Sequence, residues 1–157
     1  MKKLLLFFIL ITSQLFYSQS DCVSAVPVCG NSGFSYTPVD SGLTDEDLGG
    51  CLISDEHYSV WYSFTIATSG TLTFTIDPAI FADDYDFAVY GPNVTCGALG
   101  APIRCNFSGA DGPTGLSLTE TNPNGPPTGL TQWSSSMHVL AGETYFLIVD
   151  NYSSTAN

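Results

Sequence analysis

The sequence predicts an all-β fold, an antiparallel β-sandwich of the jelly-roll type. Apolar and polar residues alternate with period two in several short stretches, and clusters of Gly, Pro, Asn and Ser separate those stretches. Nothing between residues 21 and 157 has the apolar spacing of a long amphipathic helix.

The elements follow in order. Residues 21–58 are turn-rich, with "CGNSG" and "DSGLTDEDLGG". In "SVWYSFTIA", Val60, Tyr62, Phe64 and Ile66 share one face, and Trp61, Ser63 and Thr65 share the other. A turn at Ser69–Gly70 leads into "TLTFTI", with Leu72, Phe74 and Ile76 inward and Thr71, Thr73 and Thr75 outward. Together these read as a hairpin whose Thr row meets solvent or a partner. "DPAIFADDY" is a connection with one short helical turn, and "DFAVYG" is a strong strand. Residues 109–129 form a long Gly/Pro/Asn loop with a short strand at Leu116–Leu118. "WSSSMHVL" and "ETYFLIVD", separated by "AGE", read as two antiparallel strands and a turn. The chain stops at "DNYSSTAN", directly after a strong strand, so the sandwich is expected to lack its last strand and to leave an open edge beside "YFLIVD".

Composition narrows the setting. The chain has 157 residues, enough for one domain with a core. Residues 1–20 read as a secretory signal peptide: "MKK", then the apolar run Leu4–Ile11, then small polar residues before a cleavage point at Ser18 or Ser20. Residues 21–157 are then one domain, an N-terminal fragment of a longer surface protein. No other apolar run is long enough to insert in a membrane. Without the leader, Arg104 is the only Lys or Arg against fifteen acids, a formal charge of −14. Such a surface repels nucleic acid and anionic lipid and attracts divalent cations.

Five cysteines in an exported chain point to disulfides. Proximity pairs Cys96 with Cys105. Cys29–Cys51 is preferred for a second bridge because the longer loop gains more from closure. Cys22 is left over.

Asp83, Asp84 and Asp86 crowd three carboxylates into four positions at the head of a strand. Hard oxygen ligands in a loop suit Ca²⁺. Strand alternation puts Asp84 and Asp86 on one side, with Glu56 and Asp150 completing the site and Asp83 in reserve. The alternative is a solvated or backbone-capping acidic turn. No zinc spacing, nucleophile elbow or H-E-x-x-H motif is present, so the chain reads as no enzyme. Trp61, Tyr85, Tyr90, Trp133 and Tyr152 are candidates for stacking on sugars or for covering the core, and His57 and His138 read as surface or loop residues.

The blocks "VPVCG", "CLISDEHYSVWYSFTIATSGTLTFTI", "DDYDFAVYGPNVTCGALGAPIRCNFSG", "PTGL", "QW" and "VLAGETYFLIVDN" resemble, in order, a recurrent N-terminal module of large exported proteins of gliding bacteria. Those proteins use type IX secretion and commonly end in a gliding-motility-associated C-terminal sorting domain, which residues 21–157 do not resemble. "AGETYFLIVDNYSS" is also similar to the pre-peptidase C-terminal domain. Glu56, Asp86 and Asp150 resemble calcium positions of the CUB sandwich. The resemblance implies a non-catalytic module displayed on the cell surface, serving adhesion to a surface glycan or protein ligand in gliding motility. The other reading is an accessory, carbohydrate- or substrate-binding domain of a secreted protease or glycan hydrolase.

Overall fold

The computed structural model describes residues 19–52, 55–125 and 131–153. Most of the expected leader, part of the 109–129 loop and the last four residues lie outside these. The described chain is almost all β. Its strands are β1 (Val26–Pro27), β2 (Tyr58–Thr65), β3 (Gly70–Leu72), β4 (Phe74–Ile76), β5 (Tyr85–Tyr90), β6 (Arg104–Asn106), β7 (Thr114–Ser117), β8 (Trp133–Ser135), β9 (Met137–Val139) and β10 (Thr144–Asn151). A 3-10 turn covers Cys22–Ser24. No described helix is long and apolar enough to cross a membrane.

One sheet has the order β1-β2-β10-β5-β6. Facing it are two strips, β3-β9 and β4-β7-β8. All pairs are antiparallel except β1 with β2 and β7 with β8. These pairs make a sandwich but do not by themselves trace a jelly roll. The strips are parts of one surface. β3 and β4 are successive pieces of one edge, broken at Thr73, and β7 pairs with β4 while β8 runs beside β7. Where β7 ends, the chain steps inward at Ser136, and β9 takes the place beside β3. Arg104 braces this step, donating from Nε to Ser135 O at 2.8 Å and from Nη2 to Ser136 O at 2.8 Å.

Both expected hairpins are absent. β2 and β3 lie in different sheets, as do β9 and β10, so each connection is an arch from one layer to the other. The two arches pair with each other: Ile66 N donates to Glu143 O, Gly142 N to Ile66 O, and Ala141 N to Ser69 Oγ, at 2.8–2.9 Å. Alternation cannot separate the two arrangements, because a hairpin and an arch both send Val60, Tyr62 and Phe64 to the same interior as Leu72 and Phe74. The other departures are smaller. Residues 77–84 contain turns but no helix. β10 is the central strand, paired on both sides, so no open edge lies beside it.

Each face of the five-stranded sheet has its own core. Between the layers, Val60, Tyr62, Phe87, Val89, Leu147 and Val149 pack against Leu116, Met137 and Val139. On the opposite face, Trp61, Ala88, Tyr90 and Ile148 lie under a strap formed by residues 19–25 and 40–52, with Leu48, Cys51 and Leu52 upon them. Trp61 is 0% exposed and stacks on Tyr90 at 5.8 Å, and Tyr90 Oη donates to Leu48 O at 2.9 Å. These two rings are therefore core residues and not a sugar platform.

The strap takes the place of a third layer. Asp21 Oδ1 accepts from Leu43 N and Thr44 N at 2.8 and 2.7 Å, folding the strap back on its own start. Gly42 makes this possible. Its φ of +85° suits a residue without a side chain, and a Cβ there would stand 2.9 Å from Ser20 O. Trp61 N donates to Gln19 O, and Ser59 N to Asp40 O, so the strap also covers much of the free side of β2.

The cysteine pairing differs from expectation. Cys22 bonds Cys96 across 74 residues and Cys51 bonds Cys105 across 54, with Cα atoms 5.6 and 6.3 Å apart. Cys29 is the free, exposed one. Proximity in sequence misled because Cys105 is carried inward on β6, 0% exposed, beneath the strap. Both bridges hold the strap or its start to the rest of the fold.

Candidate acidic site at the strand ends

The end of the central strands gathers acids on the strap face. In register, Asp150 of β10 sits opposite Asp86 of β5 on one side and Ser59 of β2 on the other. Cross-strand neighbours share a face, so Asp86 and Asp150 point the same way. Asp84 lies two residues before Asp86, and its carbonyl continues the pairing by accepting from Tyr152 N at 2.9 Å. Alternation thus returns Asp84 to the side of Asp86, as the sequence implies. Asp111, from the long Gly-rich loop, adds its charge to the field at Asp84.

The members are not equally satisfied. Asp150, 2% exposed, accepts from His57 N at 2.8 Å on Oδ1 and meets His57 Nδ1 at 2.9 Å on Oδ2. Tyr152 closes over that ring edge-on at 4.7 Å. Asp86, 7% exposed, has a buried Oδ1 with no partner, and so has Asp84. An orphaned buried carboxylate oxygen costs on the order of 1–3 kcal/mol, more when charged. Burial first, then the charges of Asp84 and Asp150, push Asp86 up to about 8. Burial, then Asp111 and Asp150, raise Asp84. Burial raises Asp150 too, against the lowering effect of its His57 bonds. No Arg relieves the cluster, since Arg104 is committed to backbone carbonyls at the Ser136 step.

Two of the expected ligands are elsewhere. Asp83 is buried on the other side of the chain, beside Tyr85, whose phenol it helps to raise. Glu56 turns to the strap. Its Oε2 accepts from Ser59 Oγ at 2.6 Å, its Oε1 accepts from Trp61 Nε1 at 3.3 Å, and it faces Glu46. Glu46 in turn accepts from Cys22 N at 2.8 Å and shares a side-chain hydrogen bond with Glu56. Burial, with a further contribution from Glu46, pushes Glu56 up to about 9. The strap therefore closes on a second acid pair.

Sequence reasoning missed His57 and Asp111 at the first cluster and Glu46 at the second. His57 precedes β2 next to a candidate acid, and Asp111 lies in a loop of unusual length, so weak signals existed for both. Glu46 carried none, because only the path of the strap brings it to Glu56.

The donor chemistry at Asp84 and Asp86 is that of a hard cation: two buried carboxylate oxygens lacking hydrogen-bond partners. Among the described residues, however, no group of three or more His, Cys, Asp or Glu is arranged to hold a metal ion. The two aspartates are what the side chains offer, and a calcium ion held by them would have to take the rest of its six to eight oxygens from backbone carbonyls and water. Compared with protein-family models, curated proteins and solved structures, the chain matches none.

Proposed function

We propose that the chain is a non-catalytic extracellular module of an exported cell-surface protein. In this reading a calcium ion braces the loops at the Asp86 end, and those loops bind a surface glycan or protein ligand. The observation that carries it is the pair of buried, unpartnered oxygens on Asp84 and Asp86. Asp84 and Asp86 would hold the ion, whose charge offsets the repulsion among the acids when bound. Asp150, held by His57, keeps its place in the register and adds field rather than a free oxygen. Residues 109–112 and 151–153 border the cluster, and loops fixed on a rigid sheet are a common place for recognition. The leader-like N-terminus and two cross-links support export. The resemblance to modules of gliding bacteria supports surface display by type IX secretion, with adhesion in gliding as the role.

The accessory-domain reading has one observation in its favour. Tyr152, 49% exposed, presents an aromatic face at the edge of the cluster, as carbohydrate-binding surfaces do.

Calorimetric titration at pH 8 tests the site. The wild-type protein is expected to bind calcium once, with magnesium a poor substitute. Asp84→Asn with Asp86→Asn is expected to remove the heat of binding. A glycan array probed with and without chelator then tests the role, with retention expected only in calcium. Heat that is unchanged in the double variant would remove the site, and calcium-independent glycan retention would remove its link to recognition.

A further inference from the structure

The sandwich is open along one side. Phe64 and Ile66 from the β2 arch and Leu72, Phe74 and Ile76 from β3 and β4 point into the interior core, yet all five stay half-exposed. They line a groove of about 960 Å³. Its far wall is residues 30–38, which have no regular secondary structure. Phe34 of that wall is 59% exposed and touches the sandwich through Tyr62, with ring centroids 5.3 Å apart.

The backbone beside this groove is open as well. β9 and β7 pair with β3 and β4 from the same side, and among the described residues no strand pairs with their other edge. The edge "GTLTFTI", residues 70–76, is short and broken at Thr73, but it carries no Pro, no Lys and no inward charge to repel an added strand. Its outward residues Thr71 and Thr75 are exposed, and its inward residues are large and apolar. Free backbone groups beside an incompletely filled apolar groove select an extended chain that brings its own N–H and C=O groups and an apolar side chain at every second position.

We propose that this side is an acceptor for one β-strand of a partner protein, added to the edge of β3 and β4 with its alternate side chains in the groove. Charge specifies the partner further. Among the described residues, the only charged one lining the groove is Asp77, and the chain beyond residue 20 carries −14. A strand with basic flanks is favoured, and a second copy of this chain is opposed by repulsion of like charge. The seven-residue edge spans about 23 Å at the rise of a β-strand.

The test uses the disulfide-intact protein and fluorescent peptides read by anisotropy. A Lys-Lys-Val-Thr-Val-Thr-Val-Lys-Lys peptide is expected to bind. A version N-methylated at the alternate residues whose N–H groups face the edge loses its donors to β3 and β4 and is expected to bind at least about tenfold more weakly, as is a scrambled sequence that breaks the alternation. Glu in place of the flanking Lys is expected to weaken binding in a salt-dependent way. Phe74→Asp is expected to abolish binding, with circular dichroism confirming the fold, and the N-methylated peptide decides the matter if that variant does not fold. Equal binding of the N-methylated or scrambled peptide would overturn strand addition and leave a general apolar patch. No peptide binding together with sedimentation as a dimer would assign the edge to a second copy. No peptide binding by a monomer would overturn the proposal outright.

Discussion

In chelator, the protein is expected to lose stability steadily as pH rises from about 4 to about 9. Asp86 and Glu56 ionise near 3.8 and 4.5 when unfolded but hold protons to about 8 and about 9 in the fold. A carboxyl whose folded value is raised contributes stability that is complete below its unfolded value and lost as pH climbs to the folded one. The window therefore opens near pH 4 and closes near pH 9. Each tenfold change in proton affinity between the folded and unfolded chain is worth about 1.4 kcal/mol, so a loss on the order of several kcal/mol is expected across it. The groups facing Asp86 are Asp84 and Asp150, and those facing Glu56 are Glu46, Ser59, Trp61 and Tyr90. Urea unfolding at a series of pH values measures the slope. Asp86→Asn and Glu56→Gln should each flatten part of it, and the pair should leave the weaker slope of Asp84, Asp150 and Glu46, which burial also raises, and of general charge repulsion. A flat profile in the wild-type protein would mean that water or counterions already relieve both acids.

Removing either disulfide is the second large effect. The bridges close loops of 74 and 54 residues. Chain-entropy arguments put the loss at about 4 kcal/mol for each. The loops overlap, so the double loss is expected to be less than the sum. Cys51→Ser with Cys105→Ser should loosen the strap over Trp61 and Tyr90, showing as a red-shifted tryptophan emission before global unfolding. Cys29→Ser should change nothing, because Cys29 is exposed and unpaired. Chymotryptic mapping without reductant should recover Cys22 linked to Cys96 and Cys51 linked to Cys105. A peptide joining Cys96 to Cys105 would refute the arrangement.

The inner faces of the strands were legible because burial on one face imposes period two, and Val60, Tyr62, Leu72 and Phe74 announce it. Sheet membership was not, since the same alternation serves a hairpin or an arch, and the choice rests on turn-to-turn bonds such as Ile66 to Glu143. The second face of β2 was hidden for a related reason. Trp61 between Val60 and Tyr62 signals a strand buried on both sides, but the strap that covers it has no periodicity of its own. The cysteine pairs were hidden with the strap, because loop length says nothing about which segments the fold stacks. At the site, Asp84, Asp86 and Asp150 were legible from alternation and strand ends. Glu56 and Asp83 were not, because the side on which an acid falls near a strand end depends on the local turn, and Glu56 finds Ser59 and Trp61 nearer than the aspartates.

We propose that Asp84 and Asp86 hold a cation through their buried, unpartnered oxygens. Thermal unfolding of the wild-type protein in millimolar calcium and in chelator, at pH 8 and again at pH 5, tests it most directly. Calcium at a hundred times its dissociation constant should add about 2.7 kcal/mol at pH 8, a rise of roughly 5–10 °C. The rise should shrink at pH 5, where Asp86 keeps its proton and calcium must displace it. Asp84→Asn with Asp86→Asn should remove it at both. Identical melting in calcium and chelator at pH 8, or a calcium shift that survives in the double variant, would contradict the account and leave the cluster as buried acids held protonated by the fold.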